Sequence, residues 1–145
     1  MKHLLFIALV AISSTIPWEQ NFETAQKNAK EQHKLILLNF SGSDWCGPCI
    51  RMHSEIFADQ GFIKMATANL VMVNADFPRN KKKQPAVPIK KQNEMLADKY
   101  NPQGKFPYTV ILDQDGKVIK SYDGLPDQTA AEFTSELKKI CDAKK

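Results

Sequence analysis

Two stretches of this chain are apolar almost without a break. Residues 35–40 (Leu-Ile-Leu-Leu-Asn-Phe) and 70–76 (Leu-Val-Met-Val-Asn-Ala-Asp) have the pattern of strands covered on both faces, the first of them central. Residues 108–112 and 117–122 flank Asp113-Gln114-Asp115-Gly116, a turn sequence, and predict an antiparallel hairpin at the sheet's outer side. Elsewhere the apolar positions fall at steps of three and four. Trp18, Phe22, Ala25 and Ala29 predict an amphipathic helix over 18–32, with Asn21 as N-cap and Glu23 in its first turn. Ile50, His53, Ile56 and Phe57 predict a helix running to about residue 57, and residues 59–68 a second piece after a kink at Gln60-Gly61. Met95, Leu96 and Tyr100 place a helix over 92–100, while Ala130, Phe133, Leu137 and Ile140 place a last one, capped by Asp127. Residues 79–88 are rich in lysine and proline and read as an inserted surface loop.

The first residues change the picture of where the chain works. Met1-Lys2-His3 is a short basic segment, residues 4–12 are apolar, and a small-residue exit follows at Ser13 and Ser14. That is the form of a signal peptide over residues 1–14, and it predicts an exported protein, periplasmic or secreted. The apolar run is shorter than the roughly 20 residues that span a bilayer, although an uncleaved anchor remains the alternative. Residues 15–145 then form one domain of about 130 residues, enough for one core. The net charge of +4 is mild, and the lysine clusters contain no aromatics, so nucleic acid is not an expected partner. A monomer is expected.

The chemistry is concentrated in Trp45-Cys46-Gly47-Pro48-Cys49. With a helix starting near Cys46, that sulfur faces unpaired backbone N–H groups and the positive end of the helix dipole, which favour thiolate; Cys46 is the expected nucleophile. Cys49 lies one turn on, placed to attack a mixed disulfide on Cys46, and is the expected resolving thiol. Pro48 loses nothing in a first turn and restricts the backbone between the sulfurs. Two other uses of the pair stay open: a zinc site completed by His33, His53 or Cys141, and a purely structural disulfide. The redox reading expects neither metal nor cofactor. His53, one turn beyond Cys49, is either a tuning group or a packed side chain.

This pentapeptide, set after the 35–40 run and followed by Phe106-Pro107 ahead of a second strand, resembles the thioredoxin superfamily. The resemblance implies an α/β, thioredoxin-like fold: a central mixed β-sheet flanked by α-helices, with the dithiol at a strand-to-helix junction. It implies a cis Pro107 facing the dithiol, so that Phe106 presents its backbone to an extended client segment, with Trp45, Gly47 and Pro48 helping to position it. Phe106 and Tyr108, the latter where threonine is common, are expected to alter substrate choice. Many members carry Asp-Phe where this chain has Asn39-Phe40, with one extra residue in the following loop. Asparagine cannot take the proton that the acid accepts from the resolving cysteine. The Gly47-Pro48 dipeptide resembles reducing members. The expected activity is therefore reduction of disulfides in client proteins, with a membrane thiol reductant as electron donor. A disulfide oxidase or isomerase, or a redox-controlled or chaperone-like partner of one client, is the alternative.

Overall fold

The computed structural model describes residues 15–144, so the expected leader at 1–14 lies outside the described residues. The two apolar runs form β2 (Leu35–Ser41) and β3 (Leu70–Asp76), paired parallel in register from Leu35 with Leu70 to Ser41 with Asp76. β4 (Tyr108–Leu112) runs antiparallel to the other side of β2, and β5 (Val118–Asp123) closes the hairpin antiparallel to β4. A two-residue strand, β1 (Trp18–Glu19), lies parallel to β3, giving a mixed five-stranded sheet in the order β1-β3-β2-β4-β5. β2 is at its centre, as its unbroken burial requires.

Alternate residues of β2 feed two cores. Leu35 and Leu37 join Met52, Ile56, Phe57, Phe62, Phe133 and Leu137, the layer of α2 (Gly47–Met52), α3 (Gln60–Asn69) and α5 (Ala130–Asp142). Ile36, Leu38 and Phe40 join Ala25, Ala29, Leu96 and Tyr100, the layer of α1 (Phe22–Gln32) and α4 (Val87–Tyr100). The sheet is sandwiched between the two layers.

Several boundaries differ from the sequence expectation. Trp18 belongs to β1, not to the first helix; α1 starts at Phe22 because Asn21 has extended backbone and its side chain accepts the Thr24 N–H at 2.8 Å. α2 continues as a π-helical turn over His53–Phe57, and the break falls at Ala58-Asp59, where Asp59 caps α3 through the Phe62 N–H. α4 begins at Val87, five residues before the expected Gln92, with Pro88 in its first turn where a missing N–H costs nothing. The 79–88 loop is correspondingly shorter and holds a 3-10 turn, Lys81–Lys83. The last helix is capped by Thr129, not Asp127, in a reciprocal capping box with Glu132.

Candidate active site

The end of β2 passes through a tight turn into α2. The N–H groups of Trp45 and Cys46 both donate to the Gly42 carbonyl, at 3.2 and 2.9 Å. A side chain at Gly42 would run into the Trp45 indole, so this position has to be glycine for the ring to lie where it does. Cys46 is the N-cap of α2, with extended backbone, and its Sγ accepts the Cys49 N–H at 3.3 Å. Cys46 and Cys49 are joined as a disulfide. Cys46 keeps 5% exposure and Cys49 none, so of the two residues the first is the one open to solvent. Gly47 and Pro48 are exposed in the first turn of α2.

Three aromatic rings build one wall. The Trp45 indole N–H donates to the Phe77 carbonyl at 2.8 Å, and its ring meets Phe106 edge-on at 5.3 Å; Phe106 in turn meets Phe77 at 5.7 Å. The Phe106-Pro107 bond is cis. The Arg79 guanidinium covers the Trp45 ring at 4.2 Å. Asp44 accepts the backbone N–H groups of Arg79 and Asn80 at 2.9 and 2.8 Å, and these two hydrogen bonds hold its carboxyl below the usual carboxylate range. Tyr108 lies near Phe40, at 6.3 Å between ring centroids, on the α1/α4 side, and Lys105 lies over it.

Beneath α2 the sheet carries a polar rung. Asn39 is in register with Asn74 on β3 and Thr109 on β4, on the face that Leu35 and Leu37 otherwise make apolar. Its amide donates to Asn74 Oδ1 and its Oδ1 accepts from Thr109 Oγ1, both at 3.0 Å. Asn39 Nδ2 also lies 3.4 Å from His53 Nε2. His53 is half-buried, with its ring 5.2 Å from Trp18 and from Phe57. Burial holds its pKa below the ordinary value, with Asp76 and Asn74 opposing the shift. His53, Ser41, Ser43, Ile50, Ser54 and Asn74 share with Cys49 a cavity of about 480 Å³. His33 is exposed at the left-handed end of α1, and Cys141 is buried in the α5 layer, so the residues a zinc site would need lie on separate elements. Among the described residues, no group of three or more His, Cys, Asp or Glu side chains is arranged to hold a metal ion.

A family model for the thioredoxin-like domain matches residues 22–140. The chain belongs to the thioredoxin-like family. Among its relatives is the disulfide bond reductase DsbH of Chlamydia pneumoniae, 36% identical over 126 residues, covering 87% of this chain and 73% of the relative. The thioredoxin-related protein DsbJ of the same organism is 27% identical over 126 residues, 86% of this chain but only 35% of DsbJ. A solved structure described as a DsbH oxidoreductase superposes with a TM-score of 0.81 at 28% identity, covering 98% of this chain and 95% of that one. These likenesses support thiol-disulfide chemistry in this thioredoxin-like protein without deciding its direction. The resemblance pointed to Trp45, Cys46, Gly47, Pro48, Cys49, Phe106 and Pro107; of the two segments, Trp45 and Phe106 are in ring contact, and Pro107 follows Phe106 through a cis bond. Arg79, Asn74 and Thr109 were not singled out, and Asp44, which the sequence offers with Glu55 and Lys34 as a stand-in for the missing acid, instead ties down the Arg79 and Asn80 N–H groups. The single amides interrupting the two apolar runs, Asn39 and Asn74, were the one available signal for the rung.

Proposed function

We propose that this thioredoxin-like protein reduces disulfides of client proteins in an exported compartment. The observation carrying the reading is Cys46 at the helix N-cap, its sulfur accepting the Cys49 N–H, with Cys49 fully buried behind it. That environment favours a thiolate on the reachable sulfur. In the reduced protein, Cys46 thiolate attacks one sulfur of a client disulfide and the other client sulfur leaves as thiolate. Cys49 then gives up its proton and attacks Cys46 Sγ, releasing the second client sulfur and leaving the Cys46–Cys49 disulfide. Two electrons pass to the client, and protons return to its thiolates from solvent. Trp45, Gly47, Pro48, Phe106 and Pro107 position the client beside Cys46. A thiol reductant in the membrane recharges the pair, since an oxidising compartment offers no soluble supply.

The basic start and apolar residues 4–12 support a leader over 1–14 and a periplasmic or secreted location. Among the described residues no helix is long and apolar enough to cross a membrane. The test is turnover of an insulin disulfide together with the potential of the pair. A potential near about -270 mV with insulin reduction supports a reductase, whereas one near about -120 mV makes the protein a disulfide donor. Cys46→Ser abolishes turnover and Cys49→Ser accumulates a mixed disulfide; retained turnover by either variant refutes the scheme.

A further inference from the structure

Residues 77–86 belong to neither the sheet nor the α-helices, yet they are fastened to the loop that carries the dithiol. Asp44, two positions before Cys46, holds the N–H groups of Arg79 and Asn80. Trp45 bonds the Phe77 carbonyl and lies under the Arg79 guanidinium. Asn80 Oδ1 accepts the Lys82 N–H at 2.9 Å to start the 3-10 turn, and Gln84 Nε2 returns to the Pro78 carbonyl. A connection that only spans distance needs no such fastening.

The fastened segment presents a run of positive charge. Arg79, Lys81, Lys82 and Lys83 are all exposed, and the four close ion pairs among the described residues use Lys30, Arg51, Lys105 and Lys138 instead. The nearby carboxylates are committed or few. Asp44 faces the two backbone N–H groups and feels Lys83; Asp76 accepts from Ser43 N–H and Oγ; Glu19 lines a cavity with Lys83. Lys83 is four residues beyond Arg79, at most about 14 Å along the chain. Arg79 lies on the aromatic wall itself and Lys83 is near enough to act on the Asp44 carboxyl, so the run of charge starts at the rim beside Cys46 and stays within reach of it.

We infer that the 77–86 segment selects clients, its Arg79, Lys81, Lys82 and Lys83 drawing acidic sequence next to a client disulfide onto the rim beside Cys46. The inference rests on the reading of Cys46 and Cys49 as a client-reducing pair. Positive charge at the mouth of a site raises encounter rates with acidic partners and loses that effect as salt rises. An anionic bilayer is the competing occupant, but charges bordering the reactive sulfur would press the dithiol against the lipid and shut out clients.

The test uses the full mature chain, reduced beforehand, and three peptides of equal length carrying one disulfide flanked by Asp and Glu, by Lys, or by neutral residues. Initial reduction rates are followed at low ionic strength and at about 0.5 M salt. The acidic peptide is expected to react about tenfold faster than the basic one at low salt, the gap closing at high salt. Lys81→Glu/Lys82→Glu/Lys83→Glu is expected to reverse the order, and the corresponding Gln variant to erase it; the neutral peptide reports whether each variant is folded and active. Equal wild-type rates for all three peptides overturn the inference and leave the reductase reading standing. Failure to reduce any peptide overturns both. An acidic preference that survives the Glu variant, or binding to phosphatidylglycerol vesicles that blocks the dithiol without any peptide preference, also overturns it.

Discussion

The rung beneath Cys49 and the rim beside Cys46 support the same disulfide by opposite means. The rung is made of neutral groups, Asn39, Asn74 and Thr109, hydrogen-bonded across three strands with Asn39 and Thr109 wholly buried. The rim is made of aromatic rings and exposed charge, Trp45, Phe77, Phe106 and Arg79, held by bonds to backbone groups. A group lost from the centre of the rung leaves Asn39 or Thr109 short of a partner where water cannot reach, so the penalty appears as stability. A group lost from the rim leaves partners that water can satisfy. On the proposed function, changes to the rim's exposed charges should therefore appear in which clients react and how fast, and the two kinds of variant should separate in measurement.

The largest expected stability effect is on the rung. Asn39→Leu strands the wholly buried Thr109 Oγ1, at about 1–3 kcal/mol, and takes its donor from the half-buried Asn74 Oδ1, and should lower the unfolding free energy of the oxidised protein by about 2–4 kcal/mol. Urea titration measures it, and a loss below about 1 kcal/mol would mean that water already serves the rung. Next comes the root of the rim. At Gly42 an alanine Cβ collides with an indole that Phe77, Phe106 and Arg79 keep from moving, so Gly42→Ala should cost about 1–3 kcal/mol and shift tryptophan fluorescence. Gly47→Ala is its control, because a Cβ there meets nothing within 4 Å. Equal effects from the two alanines would break the distinction. Smaller still is Asp44→Ala, which removes the acceptor for two exposed amides. It should speed hydrogen exchange at Arg79 and Asn80 and weaken any client preference while leaving the rung's amides protected.

The sequence exposes the rung and the rim unequally, for a physical reason. β2 and β3 are readable because burial on both faces forces unbroken apolar runs, and β4 and β5 because Gly116, at φ 83°, closes their turn. The dithiol needs only five consecutive residues. By contrast, the Asp44 tether joins positions 35 and 36 apart and leaves no local pattern. Trp18 continues the spacing of Phe22, Ala25 and Ala29, so periodicity alone assigns it to α1; only the extended backbone of Asn21 separates β1 from that helix. Tyr108 sits beside Pro107 in sequence, but strand alternation turns it towards Phe40. Asn39 and Asn74 each show as a polar break, and it takes the parallel register to make them partners.

His53 ties the rung to solvent and offers the smallest effect. Its native pKa lies below the ordinary 6.5, chiefly because burial against Trp18 and Phe57 disfavours the imidazolium. The charged groups around it pull both ways: Asp76 on β3 favours the proton, and Glu19 and Lys83 line the cavity on its outer side. Asn39 Nδ2, at 3.4 Å, presents a donor to Nε2 and so also suits the neutral ring. Between the native pKa and 6.5 the unfolded chain binds more protons than the folded one, so stability falls as pH drops through that window and levels off below it. His53→Gln should flatten that part of the stability-pH curve by at most one proton's slope, leaving the curve above pH 7 parallel to wild type. Asp76→Asn should steepen it, because it removes the one charge that favours the imidazolium. If His53→Gln leaves the slope between pH 7 and 5 unchanged, the ring is protonated as freely in the folded protein as outside it, and the rung is wetter than its hydrogen bonds imply.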